Sequence, residues 1–151
     1  MAPGASFVTL ERNGRLRGCI GSIVARRPLY LDVVRNALLS MVDPRLPKVT
    51  EADWPELDVK VSVLTVPVPI PADDPDALVR ALRPGIDGLL LTADERRATF
   101  LPSVWAKVPD PAEFLAALLD KGGWPDWPDG MRALRYTSVE FADPAPRAAL
   151  G

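Results

Sequence analysis

Proline is the residue that most restricts what this chain can become. It lacks a backbone N–H and fixes φ, which bars it from helix interiors and from the middle of sheets. With 17 prolines in 151 residues, only short elements fit between them. The prolines lie mainly between segments of clear periodicity, so they punctuate a loop-rich domain and do not form a low-complexity ligand tract.

Residues 6–11 are β-prone and run into Asn13-Gly14, a pair that tolerates the positive φ of a two-residue hairpin turn. Residues 15–22 are then the returning strand, and that turn pairs Arg12 with Arg15, Leu10 with Arg17 and Val8 with Cys19. Arg17 and Cys19 share a face in this register. Gly18 and Gly21 mark a bulge or a close approach to the backbone. Pro28 suits a first helical turn, and Tyr30, Val33, Val34, Ala37, Leu38 and Met41 recur at helical spacing up to Val42. Asp43-Pro44-Arg45-Leu46-Pro47 stops that helix, which the spacing predicts to pack on a sheet. Thr50 with Asp53 offers a capping pattern for one short turn ended by Pro55. Residues 57–66 alternate, with Leu57, Val59, Val61 and Val63 opposite Asp58, Lys60 and Ser62, as in an antiparallel strand with one wet face.

Pro67, Pro69 and Pro71 form an extended connector to a short helix at 75–82. Residues 86–92 and 98–101 flank a charged turn as a second hairpin. A helical turn at 102–108 carries Trp105, and an amphipathic helix at 111–121 turns Phe114, Leu115, Leu118 and Leu119 inward before Gly122-Gly123 ends it. After a Trp, Pro and Gly loop at 124–130, residues 134–141 alternate as a last strand. Hairpins mixed with helices, without a βαβ rhythm, predict an α+β fold with an antiparallel sheet and flanking helices. One domain is expected over 1–142, with a flexible tail at 143–151.

A net charge of -2 supplies no broad positive field for a nucleic-acid backbone. Met1-Ala2-Pro3-Gly4 has neither a basic flank nor an apolar run, and no stretch approaches a membrane span, so the cytoplasm is the default location and no membrane partner is expected. Histidine is absent and Cys19 is the single cysteine. An internal disulfide, an ordinary zinc site and the Ser-His and Cys-His pairs of most nucleophilic enzymes are thereby excluded. No metal and no cofactor are expected.

Arg17-Gly18-Cys19-Ile20-Gly21 combines a thiol, a guanidinium two residues away and glycines that expose backbone, and a nearby cation favours the thiolate of a nucleophile. The plain alternative is a small packed core residue. Asp43-Pro44-Arg45 reads as an ion pair at a helix end, or as a place where Arg45 and Arg17 hold an anionic group. Trp54, Trp105, Trp124 and Trp127 are most simply packing residues, although Trp124 and Trp127 sit in a loop that could cover a pocket. Gly85-Ile86-Asp87-Gly88 lacks the lysine and the spacing of a phosphate loop.

These segments resemble the AMMECR domain family. The resemblance runs from Phe7 to Phe141 and rests on Leu16-Arg17-Gly18-Cys19-Ile20-Gly21, Asp43-Pro44-Arg45, Val61-Ser62-Val63-Leu64, Arg83-Pro84-Gly85-Ile86-Asp87-Gly88, Thr99-Phe100-Leu101-Pro102 with Trp105, and Arg135-Tyr136. It implies an α+β fold with two subdomains around a cleft that holds the Arg-Gly-Cys-Ile-Gly segment, in a family whose biochemical activity is not established. Prokaryotic members are often grouped with a radical-SAM protein and a Memo-type protein, which implies a shared pathway and possible partners. Leu46 stands where the family usually has an aromatic residue. The family's usual N-terminal helical segment does not precede Ser6, and an exposed apolar patch that promotes association is expected in its place.

Two functions stay open. In the first, a small-molecule enzyme or enzyme component uses Cys19 activated by Arg17 as its catalytic pair, with Gly18, Gly21, Asp43 and Arg45 holding a small anionic ligand. In the second, a non-catalytic module docks onto a partner enzyme, Cys19 is only packed, and a contiguous apolar patch marks the docking surface.

Overall fold

The computed structural model describes residues 3–22 and 25–147. In chain order it contains β1 (Pro3–Arg12), β2 (Arg15–Gly21), β3 (Arg27–Pro28), α1 (Leu29–Ser40), a 3-10 turn (Trp54–Glu56), β4 (Leu57–Leu64), β5 (Val68–Ile70), α2 (Pro75–Ala81), β6 (Gly88–Ala93), β7 (Arg96–Phe100), a second 3-10 turn (Pro102–Ala106), α3 (Pro111–Gly122), β8 (Arg132–Tyr136) and β9 (Ser138–Asp143). The fold is α+β with antiparallel sheets. It divides into two compact units, Met1–Val66 with Val139–Gly151, and Pro67–Ser138.

The first unit carries a sheet in the order β2-β1-β4-β9, with β3 pairing onto the start of β1. Asn13 and Gly14 both adopt positive φ, at 50° and 79°, which is the turn geometry expected of this pair. Val8 faces Val61 and Leu10 faces Val59 across β1 and β4, and these side chains form a small core with Leu57, Val33, Ala37, Met41 and Trp54. The alternate positions pair Phe7 with Ser62, Thr9 with Lys60 and Glu11 with Asp58. That second face is the wet side of β4 that its alternation predicts.

Helix α1 packs on β1 and β2, but of its spaced apolar residues only Val33, Ala37 and Met41 turn toward the sheet. Its buried residues are Asp32, Asn36 and Ser40, while Tyr30, Leu31, Val34, Leu38 and Leu39 are exposed, as is Val42 just beyond. The physical reason is the closeness of helix and strands. A Cβ on Gly4 would lie 2.8 Å from the Leu29 Cβ, and one on Gly18 would lie 1.8 Å from the Ser40 carbonyl oxygen. So tight a contact admits short side chains and excludes Leu or Val along the central row. The polar groups there are satisfied by each other. Asp32 accepts from Ser6 Oγ at 2.6 Å, Ser22 Oγ at 2.9 Å, Arg27 Nη1 at 2.8 Å and Asn36 Nδ2 at 3.1 Å.

The second unit is a sheet in the order β5-β8-β6-β7 backed by α2 and α3. Leu78, Leu89, Leu91, Phe114 and Leu118 fill its core with Trp105 and Trp124, and the Trp105 ring stacks on Phe114 at 3.7 Å between centroids. Asp74 and Asp110 cap the two helices by accepting from the Ala77 and Glu113 N–H groups, and Gly123 at φ 80° closes α3. These are standard helix-end solutions. Trp124 is 4% exposed and Trp127 packs on the same core, so both tryptophans serve packing.

Two sequence expectations need correction here. The proline connector forms a strand, because β5 pairs Val68 to Ile70 with Arg135 to Ala133 at the edge of its sheet, where proline is tolerated. The single strand expected over 134–141 is two strands, β8 and β9, in different sheets. In the segment expected as a tail, Ala145 N–H donates to Asp58, and Arg147 Nε donates to the Leu57 carbonyl. Residues 148–151 lie outside the described residues. Among the described residues, no helix is long and apolar enough to cross a membrane.

The Asp32 network yields a direct expectation. Asp32→Ala strands four donors in a buried site and should destabilise the protein by about 3–5 kcal/mol. Urea unfolding measures this, and a loss below about 1 kcal/mol would show that the network contributes little.

Candidate functional site

The segment from Arg17 to Gly21 gets its geometry from one irregularity. Arg12 faces Arg15 and Glu11 faces Leu16, but Leu10 faces Gly18, so the pairing shifts between Leu10 and Glu11 and Arg17 is the extra residue of a bulge. Every later partner moves by one. Cys19 therefore faces Thr9, not Val8, and Arg17 does not face Leu10. Because side chains alternate along a strand, a one-residue slip exchanges the faces. Cys19 moves from the apolar α1 side to the wet side with Thr9 and Lys60, and Gly18 takes the position under α1. Cys19 is half-buried, with its Sγ 3.3 Å from Thr9 Oγ1. On the same segment a Cβ at Gly21 would lie 2.2 Å from the Phe7 ring, so Gly21 is needed for packing.

Strand β2 is an edge strand, and the loop after α1 closes its edge at Cys19. The Cys19 N–H donates to Asp43 Oδ2 at 3.1 Å, and the Cys19 carbonyl accepts from Arg45 Nη2 at 3.0 Å. Asp43 also accepts from the Arg45 N–H, from Arg45 Nε at 3.0 Å and from Arg45 Nη2 at 2.6 Å. The Asp-Pro-Arg turn thus presents one acceptor and one donor to the backbone of a single residue, as a neighbouring strand would. Arg45 also lies near enough to Cys19 for the two to interact electrostatically.

Arg17 belongs to a different group. Its Nη2 donates to Asp53 Oδ2 at 2.8 Å and to the Lys48 carbonyl at 3.2 Å, and Arg12 Nη1 reaches the other Asp53 oxygen at 2.9 Å. Asp53 accepts the Thr50 N–H at 2.8 Å as well, which realises half of the expected capping pattern. The sequence candidates therefore fall into two clusters: Cys19 with Asp43 and Arg45, and Arg17 with Arg12 and Asp53. Neither Arg12 nor Asp53 was singled out as a site residue. The available signals were three arginines crowded around the Asn-Gly turn and an acid three residues after Thr50.

Both buried carboxylates are held well below the usual carboxylate range. Hydrogen bonds from the Arg45 side chain are the main cause at Asp43, and those from Arg17 at Asp53, with burial opposing in each case. A general acid or base working near neutral pH needs the opposite displacement. Among the described residues, no group of three His, Cys, Asp or Glu side chains is placed to hold a metal. In the second unit, a depression of about 440 Å³ lined by Pro84, Pro102, Trp105 and Pro109 has no titratable side chain. Asp87 next to it is neutralised by Arg83 through bonds of 2.6 and 3.0 Å. Tyr136, buried behind Gly88, has its phenol pushed up to about 12 by burial, so it stays protonated near neutral pH.

Two outcomes follow from this geometry. Gly18→Ala drives a methyl group into a backbone oxygen, and should cost about 3 kcal/mol or more in chemical unfolding; an unchanged midpoint would refute the close approach. For Asp43 and Asp53 the folded-state value is depressed from an ordinary 3.8, so their stabilisation is present above about pH 4 and is lost as pH falls below it. An acid titration of Asp43→Asn with Asp53→Asn should show a flatter acid limb than the parent chain, and identical slopes would contradict the assignment.

Comparison with known proteins agrees with this architecture. The AMMECR1 family model matches residues 1–141. A protein of Methanothermobacter thermautotrophicus is 40% identical over 124 residues, which cover 79% of this chain and 63% of that protein. The chain thus spans less than two thirds of that relative. A Thermococcus gammatolerans protein is 37% identical over 153 residues, covering 93% of this chain and 73% of its own length. A crystal structure of an uncharacterized protein from Pyrococcus horikoshii superposes with a TM-score of 0.88 at 32% identity, over 95% of this chain and 75% of that one. With the family's segments in order and its fold in place, the chain belongs to the AMMECR1 family.

Proposed function

We propose that this domain is an interaction module that docks onto a partner protein through the outer face of α1, and that Cys19 is an architectural residue. The observation that carries this reading is the orientation of α1. Tyr30, Val34 and Leu38 lie on one stripe at 55%, 54% and 61% exposure, with Leu31, Leu39 and Val42 beside them. A contiguous apolar surface of this kind is a mark of interaction sites on protein surfaces. Arg35 is exposed within it and has no hydrogen bond or ion pair among the described residues. The fitting partner is therefore a protein with an apolar surface and a carboxylate placed to meet Arg35.

The catalytic alternative has less support. Each member of the Arg17–Gly21 segment has a packing or pairing task, and the carboxylates near Cys19 and Arg17 are locked in ion pairs. The partners implied by the family resemblance, a Memo-type protein and a radical-SAM protein, are the ones to test. By calorimetry with each purified protein, at least one should bind. Leu38→Asp should weaken that binding at least about tenfold, and Cys19→Ala should leave it unchanged. Leu38 is on the surface, so the variant should keep its unfolding midpoint. Absence of binding to both proteins, binding indifferent to Leu38→Asp, or a turnover that requires Cys19 would each overturn the reading.

A further inference from the structure

We propose that the groove beside the Asn13-Gly14 turn binds a small phosphate-bearing anion, with Arg15 and the free edge of Arg17 as its principal donors. The groove is open, has a volume of about 700 Å³, and is lined by Arg12, Asn13, Arg15, Leu16, Arg17 and Asp53. It lies wholly in the first unit. It is separate from the α1 surface, and the proposal does not depend on the docking reading.

The charges there are unequally matched. Arg12 is spoken for, since it bonds Asp53 and is paired with Glu56. Arg17 spends only its Nη2 on Asp53 and on the Lys48 carbonyl, which leaves the Nε and Nη1 hydrogens without a partner among the described residues. Arg15 and the Asn13 amide have no partner at all among the described residues. Three guanidiniums thus meet two carboxylates, and the surplus positive charge sits on Arg15.

An unpaired surface arginine is ordinary by itself. Here, however, Arg15 stands directly across the hairpin from Arg12, and like charges in that cross-strand position repel. Arg12 has its counter-charges and Arg15 has none, so an anion in the groove would supply the counter-charge that Arg15 lacks. Asp53 lines the groove without opposing this. Its side chain is 6% exposed, and both oxygens are occupied by Arg12, Arg17 and the Thr50 N–H.

The donor set selects the ligand class. Two guanidinium edges and an amide offer more hydrogens than one carboxylate can accept, and planar guanidinium forks suit the several terminal oxygens of a phosphate or diphosphate. Leu16, 44% exposed at the rim, gives the carbon portion of a phosphate ester a surface to lie on.

The test uses the whole chain at low ionic strength, with pyrophosphate and inorganic phosphate as probes. Calorimetry should show saturable binding, stronger for pyrophosphate and weakened by added salt. Amide resonances from Asn13 to Arg17 should shift on titration. Arg15→Ala should lower the affinity about tenfold while leaving the ligand-free unfolding midpoint no lower than that of the parent chain, because Arg15 supports nothing else. Arg17→Lys keeps a charge beside Asp53 but loses the planar fork, and should also weaken binding. Absence of saturable binding, parent-like affinity in Arg15→Ala, or shifts confined to other segments would each overturn the proposal. Should Arg17→Lys fail to fold, Arg15→Ala still decides.

Discussion

The contact between Gly18 and the Ser40 carbonyl governs the first unit. It requires a residue without Cβ under the last turn of α1, and the bulge at Arg17 delivers Gly18 to that place. One extra residue in β2 therefore determines which side every following side chain occupies. Without it Cys19 would lie under the helix, where its side chain would meet Ser40, and Gly18 would face the wet side. The close approach also explains the polar interior of α1. Backbones this near leave room for Ser6, Asp32, Asn36 and Ser40, and the hydrogen bonds among Ser6, Asp32 and Asn36 replace the side-chain packing that larger apolar residues would supply.

Aspartate does in the loops what ladders do in the strands. A chain interrupted so often by proline leaves many backbone N–H groups outside regular structure, and each buried one needs an acceptor. Asp43 accepts from Cys19 and Arg45, Asp53 from Thr50, and Asp87 from Arg83. Each of these carboxylates is buried and also faces an arginine. The pairing matters because a lone buried charge is costly, whereas one matched by a guanidinium and several N–H donors is tolerated. The arginines stay partly in solvent, which spares their desolvation. Such pairs hold loops in place, and the same ionic lock makes the carboxylates poor proton carriers.

Local chemistry was legible in the sequence wherever a single residue type forces a conformation. Asn13-Gly14 marks the first hairpin, Gly123 ends α3, and the alternation from Leu57 identifies β4. What was not legible depends on long-range geometry. The bulge at Arg17 has no local signature beyond the neighbouring Gly18, yet it displaces Cys19 by one register position and hands the Cys19 backbone to Asp43 and Arg45. The orientation of α1 was hidden for a related reason. Two stripes repeat every four residues along that helix, one apolar through Tyr30, Val34 and Leu38 and one polar through Asp32, Asn36 and Ser40. Hydrophobicity alone does not separate Tyr30, Val34 and Leu38 from Val33, Ala37 and Met41, which do pack inward. Only the closeness of the strands decides between them.

The orientation of α1 also bears on function. A helix that buries Asp32, Asn36 and Ser40 packs on its own sheet through Val33, Ala37 and Met41 as well as through hydrogen bonds, and it leaves Tyr30, Val34 and Leu38 exposed. Its outer face still carries the hydrophobic free energy that a surface helix ordinarily spends on its core, about 25 cal/mol for each Å² later covered. Association through that face would recover this energy without reorganising the interior, because the inner polar network is complete without it. Around Cys19, Asp43 and Arg45 are both engaged in holding the strand edge.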